Sequence, residues 1–310
     1  MELKEYRQKL DVIDREILSL FTERMKVVSQ IGAYKKEQGL PVLDPGREQE
    51  KLDSIASQST EELTAYTKAL FALIMELSRA SQNRLIDTEC EETRRISRAI
   101  RETPTEFPVS ATVACRGMDG ADSRLACKKL FDRPSISFFG DYEAVFSAVK
   151  EGICRYGVVP VRSSAAGSLN TVYDLLMKYD LSIVRSVCLS VDHKPMALPG
   201  VQTDGIRQVN SYLCFSRDLE IYPGADRTSL ILSLVNRPGS LYRIVSLFYA
   251  LGININRLDS RVPQNGDLPY VFYFDLDTPV LTPVLRQLMS EIGSVCEEYR
   301  YLGSYREVLS

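Results

Sequence analysis

Across the first 35 residues, apolar side chains recur at helical spacing: Leu10, Ile13, Ile17, Leu20, Phe21, Val28 and Ile31. The pattern runs to about Gln38, where Gly39 and then Pro41 supply a C-terminal stop. At ~1.5 Å per residue such a helix is more than about 50 Å long. A compact domain of this size cannot cover it alone. A second helix is expected from about Pro45 to Glu48 onward, and a third from about Glu61 into the nineties. Long helices with few partners predict an intertwined dimer. "CEETRRISRAIRETPTEFP" then loses the apolar periodicity and ends in Pro104 and Pro108, which reads as a linker.

Two cations sit on or beside the apolar stripe of the first helix. Arg24 lies three positions after Phe21 and four before Val28, and Lys35 lies four after Ile31. Eleven residues separate them, about 1100° of rotation, so they share a face. Snorkelling from a coiled-coil stripe would account for either one singly.

The rest of the 310-residue chain has a different texture. From about Val109, short strands alternate with helices: "SATVACRG", "DSRLACKKLF", "YGVVPV", "GSLNTVYDLLMKY" (opened by Ser168 or Asn170) and "LSIVRSVCLSV". This βα alternation predicts an α/β unit. From near Tyr222 the order is strand, helix closed by Gly252, two strands, helix and strand, a ferredoxin-like split βαββαβ unit. The boundaries expected are 1–95, 106–217 and 222–310.

Composition narrows the function classes. Hydrophobic content of 45% and charged content of 25% are those of globular domains rather than disorder. A net charge of −3 gives no reason to expect a nucleic-acid partner. No run of ~18 apolar residues is present, and the charged start "MELKEYRQKLDVIDRE" is unlike a signal peptide. No membrane partner and a cytoplasmic location are therefore expected. Seven scattered cysteines without a CxxC pair, and a single histidine, argue against a zinc site. His193 would have to serve any His-based triad alone.

The helical segment resembles the all-helical class of chorismate mutases over about ninety residues. The family pattern is an Arg at the start of the first helix, Arg and then Lys later on it, Asp-x-x-Arg-Glu opening the second, and Ser-x-x-x-Gln on the third. Here Arg7, Arg24, Lys35, "DPGRE" (Asp44, Arg47, Glu48) and "SRASQ" (Ser78, Gln82) fill all these positions. The reaction implied is the concerted rearrangement of chorismate to prephenate, which needs no nucleophile, metal or cofactor. It needs a flexible dicarboxylate held compactly and donors aimed at the ether oxygen where negative charge grows. The resemblance implies that Arg7 and Arg24 grip the carboxylates with Ser78 assisting. Lys35 and Gln82 would donate to the ether oxygen. Glu48, with Asp44 nearby, would take the substrate hydroxyl, and Arg47 would order that end. In the family, Arg7 serves the partner subunit's site.

The middle segment resembles a prephenate dehydratase, with departures. "VACRGMDGADSRLACKKLF" matches that family's opening strand, turn and helix, and "YGVVPVRSSAAGSLNTVYDLLMKYDLSIV" the stretch carrying its Glu-Asn-Ser and Gly-Ser-Val motifs. Glu-Asn-Ser has become Arg162-Ser163-Ser164, and Thr-Arg-Phe aligns with Asn210-Ser211-Tyr212. His193 matches the family's histidine. Only about a dozen residues lie between Leu198 and Val209, where the family has a second lobe of some seventy. A cleft between lobes loses a wall with one lobe gone, so an inactive, one-lobed segment is expected.

The last segment resembles the ACT domain of these dehydratases, which binds L-phenylalanine at a Gly-Ala-Leu turn and a Glu-Ser-Arg-Pro strand. Here these read Pro238, Gly239, Ser240, Leu241, preceded by Asn236, and Asp259, Ser260, Arg261, Val262. Pro238 and Gly239 would also serve as a simple helix entry. The reading is thus a multidomain homodimer or higher homo-oligomer: an all-α three-helix mutase, an α/β one-lobed segment and an α+β ACT domain. It has chorismate and prephenate as ligands and L-phenylalanine as effector. The alternatives are a working bifunctional mutase and dehydratase, or a non-catalytic phenylalanine-sensing module.

Overall fold

The computed structural model describes residues 3–86, 90–117, 122–163, 167–168, 170–193, 206–261, 270–293 and 295–309. The chain divides into two compact units, Met1–Cys90 with Met289–Val295, and Glu91–Leu288 with Cys296–Ser310.

The first unit is built on α1 (Leu3–Gln38), α2 (Pro45–Gln58) and α3 (Thr64–Ile86), the last preceded by a 3₁₀ turn at Glu61–Leu63. Helix α1 stops where the sequence places its stop. Gly39 takes a φ of 63°, and Leu40 N–H reaches back to Lys35 C=O at 2.9 Å, a Schellman closure that only a residue at ease in αL completes cheaply. Asp44 then caps α2, accepting from Arg47 N–H at 3.0 Å, with Pro45 in the first turn. Helices α1 and α3 run parallel, with Arg24 beside Ser78 and Lys36 Nζ on Leu85 C=O at 2.7 Å. Gly32 permits the close approach between them, since a Cβ there would stand 3.2 Å from side-chain atoms of both Gln82 and Leu85.

The 36 residues of α1 extend about 54 Å. Its apolar stripe stays open to solvent over much of its length: Leu10, Ile13, Ile17 and Leu20 are each about half exposed or more, from 49% to 66%. Contiguous apolar surface of this kind marks an interaction face. Among the described residues, no helix is long and apolar enough to cross a membrane.

The linker expected after the third helix is a correction. Glu91–Glu102 forms a further helix, α4, separate from α3, with Thr93, Ile96 and Ala99 buried along one side. That stripe follows helical spacing but is narrow and built partly of small or polar residues. The arginines between its members mask it in the sequence.

The second unit continues with β1 (Ser110–Arg116), α5 (Asp122–Leu130), β2 (Arg133–Phe139), α6 (Tyr142–Lys150), β3 (Tyr156–Ser163), β4 (Gly167–Ser168), α7 (Asn170–Tyr179), β5 (Ser182–His193) and β6 (Ile206–Ser216). The ferredoxin-like part follows as β7 (Arg227–Leu234), α8 (Ser240–Ala250), β8 (Asn254–Arg261), β9 (Tyr270–Asp277), α9 (Pro283–Ile292) and β10 (Glu298–Leu309). The expected βαββαβ order is present, in the sheet order β10-β7-β9-β8.

These two parts share one sheet, ordered β2-β1-β3-β6-β5-β10-β7-β9-β8, with β4 on β3. Strand β10 makes the join. Its residues Glu298–Tyr305 pair antiparallel with β7, and Arg306–Leu309 pair parallel with β5. The register shifts at Gly303, whose φ is 144° and where a Cβ would fall 2.2 Å from Ile183 C=O. No side chain fits that crossing. The core beneath continues across the join: Phe146 stacks on Phe215 at 4.3 Å, and Tyr173 of α7 lies 4.6 Å from Tyr273 of β9.

Candidate active site

In the helical unit, α1 and α3 bring Arg24 and Ser78 into contact. The Arg24 guanidinium donates to Ser78 Oγ and, at 3.5 Å, to Ile74 C=O, while Ser78 Oγ donates to Ile74 C=O at 2.6 Å. Partial burial pulls Arg24 below its ordinary pKa. No carboxylate pairs with it among the described residues, so this desolvated guanidinium keeps donors for an anion. One turn of α3 further on, Gln82 is buried against Gly32, and its Oε1 has no hydrogen-bond partner. Lys35, a turn beyond Gly32, is half-buried and donates to Val42 C=O at 2.7 Å. Arg24, Ser78, Gln82 and Lys35 thus follow one another along the α1–α3 seam.

Glu48 comes to this seam from α2, through a residue outside the expected set. Arg79, next to Ser78, is buried and forms an ion pair with Glu48 Oε1. The Ser-x-x-x-Gln spacing passes over position 79. The signal available in the sequence was an arginine inside a largely apolar helix.

The other three expected positions lie at the surface. Asp44 is used as the α2 cap, and Arg47 is exposed and pairs with Glu50 at 3.5 Å. Arg7 is exposed and stands seventeen residues before Arg24, about 26 Å along the same helix, beyond the reach of one side chain.

In the second unit the two altered dehydratase motifs meet. Arg162 lies opposite Ser211 and Ser163 opposite Asn210 across the β3–β6 ladder. Asn210 is buried and donates from Nδ2 to Asp122 Oδ2 at 3.3 Å, leaving its Oδ1 without a partner. Burial pushes the adjacent Tyr212 hydroxyl well above its ordinary pKa. Ser164 and the side chains of Ser163 and His193 lie outside the described residues; the His193 backbone pairs with Ile206. Strands β5 and β6 stay paired down to that point, with only residues 194–205 between them.

At the far end of the sheet, the register places the turn after β7 and the end of β8 at the same edge, since Ser233 and Arg261 both pair with Val271. Gly239 has a φ of 89° and open space where a Cβ would be, so the turn requires glycine for its backbone alone. Asn236, Pro238 and Gly239 are exposed, with Ser240 and Leu241 half-buried. On β8, Asp259 pairs with Arg257 at 2.5 Å, and Arg261 pairs with Asp174 of α7, which also accepts from Tyr273 at 3.0 Å. Arg257 in turn donates to Val161 C=O at 3.3 Å. Ser260 alternates to the opposite face. Val262 lies outside the described residues.

Family models match in the same order: chorismate mutase type II at residues 6–83, prephenate dehydratase at 113–214, and the ACT domain at 228–293. A bifunctional chorismate mutase/prephenate dehydratase from Stutzerimonas stutzeri is 23% identical over 375 residues, covering 98% of this chain and 97% of its own. The chain thus carries a chorismate mutase type II domain, a prephenate dehydratase domain and an ACT domain, in that order. A bifunctional chorismate mutase/prephenate dehydratase from Escherichia coli (strain K12) is 30% identical over 193 residues, covering 60% of this chain and 47% of its own. An alignment of 375 positions using 98% of 310 residues leaves about seventy at which the Stutzerimonas relative has residues and this chain has none.

Among solved structures, a prephenate dehydratase from Streptococcus mutans matches with a TM-score of 0.50 at 22% identity, covering 63% of this chain and 98% of its own. A quorum-quenching acylase matches with a TM-score of 0.56 at 17% identity, covering 64% and 98%. Two unlike activities on one fold leave the chemistry to be argued from side chains.

Proposed function

We propose that the helical segment converts chorismate to prephenate, that the ACT segment binds L-phenylalanine, and that the middle segment no longer dehydrates prephenate. The observation that carries the reading is the seam of Arg24, Ser78, Gln82 and Lys35, with Glu48 arriving from α2. Arg24 and Ser78 hold one substrate carboxylate. Lys35 and Gln82 donate to the ether oxygen as its bond to carbon breaks, and Glu48 accepts the ring hydroxyl. Asp44 and Arg47 shape the mouth from the start of α2. Arg7 grips the second carboxylate in the site of a partner copy, whose α1 covers the open apolar stripe. The two copies form a dimer, the smallest assembly that completes the site.

A second reading, a working bifunctional enzyme, is favoured by one observation. Arg162 places a cation directly across from Ser211, beside the position of the absent arginine. Against it stand the neutral Asn210-Ser211 pair and the short β5–β6 connection. Dehydration requires prephenate's ring carboxylate and hydroxyl to be held in a closed pocket while both leave, whereas Arg162 is an exposed side chain.

Purified protein given chorismate tests these readings together. Near neutral pH prephenate is expected to accumulate stoichiometrically, with phenylpyruvate appearing no faster than from prephenate without protein. Phenylpyruvate formation abolished by Asn210→Ala would establish the bifunctional reading, and absence of prephenate would remove the mutase.

Phenylalanine binding to the folded state alone should stabilise it by about 2.7 kcal/mol at a hundred times the dissociation constant. A concentration-dependent rise in Tm with phenylalanine, and a smaller one with tyrosine or tryptophan, is the expected result. No shift and no calorimetric heat with any of the three would leave the ACT segment without an amino-acid ligand.

A further inference from the structure

Arg79 is 5% exposed, on the turn of α3 that carries Ser78 and Gln82. Its guanidinium binds Glu48 Oε1, and its Nε has no partner among the described residues. A buried cation is costly unless paired. It is therefore retained for what it does to Glu48, or for tying α2 to α3.

The position of Glu48 separates these roles. Its side chain is only partly withdrawn from solvent, at 27% exposure. A carboxylate has about four acceptor positions, and Arg79 is the only partner of the Glu48 carboxylate among the described residues. Oε2 therefore remains open on a carboxylate whose direction is set by a rigid fork. Unpaired, the Glu48 charge would also oppose the approach of a doubly negative substrate.

We propose that Arg79 is a positioning residue of the mutase site: it fixes and neutralises Glu48, so that Oε2 accepts the hydroxyl of the bound substrate. This rests on the mutase reading above. The hydroxyl sits on the ring carbon beside the one that loses the ether oxygen, but it takes no part in the bonds made or broken, so a contact to it is made in the ground state as well as in the transition state. Loss of the pairing therefore raises KM and leaves kcat nearly unchanged.

The test is a double-mutant cycle on the full-length protein with chorismate as substrate. Arg79→Met should raise KM about tenfold, as loss of a charge-assisted contact does, with kcat within about threefold. Arg79→Lys should recover part of the loss, since a point charge attracts Glu48 without forking to it. In a Glu48→Gln background, Arg79→Met should cost less than about threefold, because its partner is already gone.

Equal losses in the two backgrounds, or an unchanged KM in a folded Arg79→Met protein, would overturn the proposal. Where Arg79→Met does not fold, Arg79→Lys in both backgrounds completes the same cycle. An inactive wild type would remove the mutase reading and this inference with it, whereas an active wild type with an uncoupled cycle removes the inference alone.

Discussion

Lys35→Ala is expected to lower kcat for the conversion of chorismate to prephenate by about 10²-fold or more, as removal of an oxyanion donor does. The rearrangement is concerted, so the protein lowers its barrier only by arranging the substrate and by meeting charge where it develops. Of the groups along the α1–α3 seam, Lys35 is the cation assigned to the ether oxygen, and Gln82 is neutral. Ground-state binding rests instead on the arginines, so the loss should fall on kcat more than on KM.

A competing role for Lys35 is visible in the hydrogen bond from its Nζ to Val42 C=O, which ties down the segment leading into α2. Losing that bond alone would cost only about 1 kcal/mol of stability. Melting temperature and kcat measured on the same preparation separate the two roles. Near-normal turnover in a folded Lys35→Ala protein would remove Lys35 from the chemistry.

What the sequence made legible was whatever is encoded locally. The helix stop at Gly39, the cap at Asp44 and the ferredoxin-like order all follow from turn chemistry or from a single period. Strand β2 and helix α6 went unread, although Asp141 caps α6 by accepting from Ala144 N–H at 2.8 Å. Neither element carries a family motif. Helix α4 was misread because its buried stripe is narrow and interrupted by arginines.

The continuous sheet was not legible for a different reason. Its join depends on Gly303 passing Ile183, a contact across more than a hundred residues for which a lone glycine gives no local sign. Of the residues proposed for the site, Arg24, Ser78, Lys35, Glu48 and Gln82 are legible in the sequence through the resemblance to chorismate mutases. Arg79 is not legible there because it falls between two matched positions, and its burial against Glu48 is something spacing does not report.

Arg7 leads to the second large effect. Mixing Arg7→Ala with Lys35→Ala protein, each nearly inactive alone, is expected to restore up to about a quarter of wild-type activity. The same helix cannot deliver Arg7 to Arg24, because seventeen residues put about 26 Å between them. The apolar residues between, Leu10, Ile13, Ile17 and Leu20, remain open in the single chain. A second copy laid along this stripe would bury them and carry its own Arg7 to the far end of the seam.

In an isologous pair each site then takes Arg7 from the opposite chain. A mixed dimer places the intact Arg7 of the Lys35→Ala chain in the site whose Lys35 is intact, and both defects in the other. Random 1:1 exchange makes half the dimers mixed with one of two sites working, hence about a quarter of full activity. Exchange is verified by mass labelling of one subunit, since a tightly wound dimer trades partners slowly. Recovery that rises with the mixed fraction would establish a shared site. Complete exchange without recovery would place Arg7 outside the chemistry and leave the open stripe of α1 a purely structural contact.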